Sequence, residues 1–60
     1  MNALIAELEM RLKLAELFRL CTRIEAEGRG RAARWALEDA YREIDALSEE
    51  IEAFVREETL

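Results

Sequence analysis

The chain has 60 residues, 40 of them Ala, Glu, Lys, Leu or Arg, well beyond the roughly 50% of these types that marks a coiled coil or long helix. It contains no Pro, no His and only two Gly, which excludes a sheet protein, a Pro-rich or collagen-like chain and any site built on imidazole. Its net charge of −5 argues for solubility and against general binding to nucleic acid or a membrane surface.

Size adds a constraint. A chain this short buries only about 60% of the surface its unfolded form exposes, so small domains draw on disulfides, a metal or association. Cys21 is the only cysteine, so no internal disulfide forms. One Cys without His does not make a transition-metal cage, and association is what remains. Glu7, Glu9, Arg11 and Lys13 interrupt the N-terminal apolar residues; neither a signal peptide nor a membrane span is expected, and the expected compartment is the cytoplasm. Eight Arg to one Lys, with one Asn and no Gln, is a composition expected of a GC-rich, heat-adapted bacterium.

The first predicted element is a helix over 2–27, and it carries two apolar stripes. At about 100° per residue, Met10, Leu14, Leu17, Cys21 and Ile24 centre on one direction. Ile5, Leu8, Leu12 and Ala15 centre roughly 170° away. Leu4 and Phe18 lie between the stripes on one side and Leu20 on the other. Cys21 falls in the first stripe, away from Arg19 and Arg23, and reads as a small core hydrophobe rather than a reactive thiol.

A turn follows at 28–30, where Gly28-Arg29-Gly30 supplies the chain's only glycines. Glycine costs about 1 kcal/mol in a helix interior relative to Ala, so two in three residues is a credible break. The heptad phase agrees: the first helix reaches position 28 in register and the second starts from position 30. That slip of two residues matches neither a stutter nor a stammer of one continuous rod.

The second predicted helix covers 31–58 and has one clean stripe. Leu37, Ile44, Leu47, Ile51, Phe54 and Val55 share a face with Ala33, Ala36, Ala40 and Tyr41, opposite Arg34, Glu38, Asp45, Glu49, Glu52 and Arg56. Such a helix needs one apolar neighbour. Both helices are about 40 Å long, and matched lengths across a short connection predict an antiparallel hairpin forming a single unit over 1–60. The first helix has one stripe too many for that hairpin. The expected fold is therefore all-α: a hairpin of two long helices dimerising into a four-helix bundle or coiled coil, with Leu4, Ile5, Leu8, Leu12, Ala15 and Phe18 at the subunit interface.

Other residues carry weaker signals. Arg29, Arg31 and Arg34 form a basic pole at the turn, beside the single Trp35. Arginines next to an aromatic ring could grip phosphates or bases, or Trp35 could anchor a protein partner. The plainer reading has Glu25 and Glu27 neutralising the arginines and Trp35 folding over the hairpin end. Arg31 and Arg34 also occupy a helix first turn, where the macrodipole favours acids, and only Gly30 is available as a cap. The acidic run from Glu43 to Glu58 reads as a solvated helix face, and Asp39 with Glu43 lacks the His that carboxylate metal sites in bundles use. No nucleophile has a base, so no enzyme activity and no cofactor or metal is expected.

In plan alone (length, two helices, tight turn, dimerisation) the chain is similar to the small plasmid-encoded Rop-type RNA-binding dimers; no residue motif is shared. Three readings of function follow. The first is a non-catalytic, self-associating interaction or regulatory module. The second is a small nucleic-acid-binding dimer using the basic turn. The third is a small subunit completed by an unknown protein partner.

Overall fold

The computed structural model describes residues 3–59 as two α-helices, α1 over Ala3–Glu27 and α2 over Gly30–Thr59, packed against each other as a hairpin. The hairpin is long and thin, with Cα extents of 45 × 15 × 14 Å and a radius of gyration of 14.1 Å. A compact domain of this length would have a radius of about 10 Å. The predicted start of α1 at Asn2 lies outside the described residues. α2 is one residue longer at each end than its amphipathic pattern predicts, and the break narrows to Gly28 and Arg29.

The two glycines serve different purposes. Gly28 donates its N–H to the carbonyl of Ile24 at 2.7 Å, closing the last turn of α1. A Cβ at position 28 would lie 2.7 Å from that carbonyl oxygen and 2.8 Å from the Cβ of Ala33. Glycine is thus required there because the end of α1 and the first turn of α2 approach closely. Gly30 has open space around it but a φ of +81°, a conformation L side chains rarely adopt. Gly28 lets the helices meet, and Gly30 turns the chain back.

The core is narrow. Cys21, Ala40, Ile44, Leu47 and Ile51 are buried, and Leu14, Leu17 and Leu37 pack half-buried around the cluster of Cys21, Ala40 and Ile44. Met10, Ile24, Ala33, Phe54 and Val55 are also half-buried. The predicted α2 stripe therefore does face α1, with two exceptions at its edge. Ala36 is exposed, and Tyr41 is 43% exposed. A helix facing a single neighbour buries a limited arc, and residues at the margin of the stripe stay in water. Among the described residues no helix is long and apolar enough to cross a membrane.

Candidate interaction surface

The second stripe of α1 lies largely exposed on the hairpin. Leu4, Ile5, Leu8 and Leu12 are 54–60% exposed and Phe18 is 50% exposed. Ala15 is half-buried. Because Ile5, Leu8, Leu12 and Ala15 recur at three- and four-residue steps, they stack along one side of α1, with Leu4 and Phe18 on its flank. Exposed apolar side chains scattered singly are ordinary, whereas these form a contiguous row. Leu20, on the other flank, is 42% exposed. Glu7 and Arg11 border the row and form an ion pair at 2.8 Å, Arg11 Nε donating to Glu7 Oε2.

The basic pole takes a different form from the plainer expectation. Arg29, Arg31 and Arg34 are all exposed, and none forms an ion pair with a described residue. Glu25, expected to neutralise them, instead accepts a hydrogen bond from the Tyr41 hydroxyl at 3.2 Å. Trp35 is 71% exposed and does not fold over the hairpin end; it lines a shallow depression with Ala36, Glu38, Asp39 and Arg42. Among the described residues no side chain caps the first turn of α2, so its amide groups face the same solvent as Arg31 and Arg34.

The Tyr41–Glu25 bond ties the two helices together at the surface. It raises the Tyr41 pKa above 10.0, first because the bond holds the phenolic proton and then because the Glu25 carboxylate repels a phenolate. Sequence reasoning missed this pair by assigning Tyr41 to the apolar stripe. A hydroxyl at the stripe margin was the available signal.

Cys21 is a free thiol, 3% exposed, in the core. The acids from Glu43 to Glu58 are exposed along α2. Asp39 lies 3.9 Å from Arg42, and no cluster of three or more potential metal ligands occurs among the described residues. The chain matches no family model, no curated protein and no solved structure.

Proposed function

We propose that this chain is a non-catalytic interaction or regulatory module that self-associates through the outer face of α1, two hairpins forming a four-helix bundle in the cytoplasm. The observation that carries the reading is the exposed apolar row of Leu4, Ile5, Leu8, Leu12 and Phe18, each at least half exposed. Covering a large apolar side chain contributes about 1.5–3 kcal/mol, and a two-fold interface counts every residue twice.

Sedimentation equilibrium across a range of concentrations tests this. The expected result is a dimer at micromolar concentration and, for Leu12→Glu, a dissociation constant about a hundredfold weaker or more. A parent chain that stays monomeric at hundreds of micromolar sinks the homodimer and leaves a different protein as the missing surface. Because Leu12 is 58% exposed, the variant hairpin keeps its core, which circular dichroism verifies.

A second reading is favoured by the three arginines at the turn, unpaired with described residues, beside the exposed Trp35. Binding of RNA or DNA there predicts affinity that falls steeply with salt and quenching of Trp35 fluorescence. No binding even at low ionic strength removes it.

A further inference from the structure

The outer row of α1 has a direction written into it. Its three- and four-residue stepping runs Ile5, Leu8, Leu12, Ala15 and then reaches Arg19. The seam is therefore apolar over the first half of α1 and charged immediately beyond. We infer that the occupant of this face is a second copy of the chain running antiparallel, its two-fold axis crossing α1 at the level of residue 10. The inference rests on the self-association reading and adds orientation and register to it.

Three observations converge on this arrangement. The first is packing. Reversing a second copy about residue 10 sets Leu8 against the partner's Leu12 and Ile5 against the partner's Ala15, a large side chain meeting a small one at the ends of the seam. The same reversal brings Leu4 onto the flank that holds the partner's Phe18, covering two further exposed residues. Arg19 then passes beyond the end of the partner helix and stays in water.

The second is charge. Glu7 and Glu9 precede residue 10, and Arg11 and Lys13 follow it. Arg11 lies on the Leu4 and Phe18 flank of the seam and Glu9 on the other, and antiparallel pairing sets each flank against the same flank of the partner, so Arg11 faces the partner's Arg11 and Glu9 the partner's Glu9 at the solvated rim, where exposed charges interact weakly. A parallel, in-register copy instead buries Arg19 against the partner's Arg19 within the seam, a desolvated like-charge contact and the costlier of the two. It gains a rim pair between Arg11 and the partner's Glu16, but exposed pairs contribute little, and Arg11 is already bonded to Glu7.

The third is area. A folded monomer of 7.0 kDa exposes about 4,000 Å², whereas this hairpin exposes 5118 Å². Part of the surplus of about 1,100 Å² follows from the elongated shape. Its size covers the roughly 800 Å² that each partner buries in a standard stable interface. Because the two faces of α1 are nearly opposite, the paired α1 helices form the centre and the two α2 helices lie outside, with the turns at opposite ends.

Charge rescue tests the pairing. Leu8→Glu alone and Leu12→Lys alone each weaken assembly at least about tenfold in sedimentation experiments. Mixing the two variants restores it, because position 8 of one chain meets position 12 of the other. Lack of rescue overturns the antiparallel register. A spin label at Glu27→Cys gives an independent readout: the antiparallel pair separates the labels by about 50 Å, a parallel one by less than about 25 Å. Labelling selects position 27 because Cys21 is buried, and a Cys21→Ala background controls for that choice. A dimer with the short distance overturns the orientation while leaving self-association standing; a monomer overturns both.

Discussion

Tyr41 shows how one side chain responds to its neighbours. Its hydroxyl donates to Glu25 across the hairpin, and the phenol pKa rises as a result. A pKa raised in the folded state means stability that is fully present below the unfolded value near 10 and lost as pH rises through the folded value. A spectrophotometric titration of this single tyrosine should therefore give a midpoint above 10 in the parent. Glu25→Ala, which removes both the acceptor and the charge, should bring it back toward 10; an unchanged midpoint would show that the bond does not form in solution. Tyr41 also marks a limit of sequence reading. The hydrophobic pattern assigns it to the stripe, yet the polar end of the ring decides where it rests, and Glu25 lies on the other helix, sixteen residues away. Amphipathic periodicity describes one helix at a time and contains no information about which polar tips meet across two.

At the scale of elements, the legible features were those a single helix states by itself. α2 has one stripe, and Ile44, Leu47 and Ile51 are buried as the pattern requires. The break was legible because glycine in a helix interior is costly, but the separate purposes of Gly28 and Gly30 were not, since they depend on Ala33 and on backbone geometry. Replacing Gly30 with L-Ala should destabilise the hairpin by about 1–2 kcal/mol, whereas D-Ala, which favours positive φ, should be neutral or stabilising; thermal midpoints of synthetic chains decide the matter. Gly28→Ala should also destabilise, through collision with backbone, and neither enantiomer is expected to relieve it as cleanly. The first turn of α2 is unfavourable in another way. Arg31 and Arg34 sit at the positive end of the helix dipole, so Arg31→Glu should raise stability by roughly 0.5 kcal/mol, detectable as a higher midpoint in denaturant. Such a cost retained at an exposed turn is consistent with the nucleic-acid reading as well as with simple drift.

For the whole molecule, what the sequence made visible was an imbalance. Among the described residues, four of the five buried ones belong to α2 and only Cys21 to α1, although α1 carries six of the nine leucines. A wheel shows that α1 has two apolar directions; only the packed hairpin shows which of them α2 takes. In the proposed dimer the exposed direction would make folding and assembly interdependent, since anything that binds the native state alone adds to its stability by mass action. Thermal midpoints should accordingly rise with protein concentration, and Leu12→Glu should abolish that rise.

In the proposed dimer, Cys21 would turn this coupling into a clock. With its sulfur enclosed between the helices at 3% exposure, alkylation requires the hairpin to part, so the reaction rate counts openings rather than reporting thiol chemistry. The residue that anchors the core of one molecule would then time how long two molecules hold each other shut.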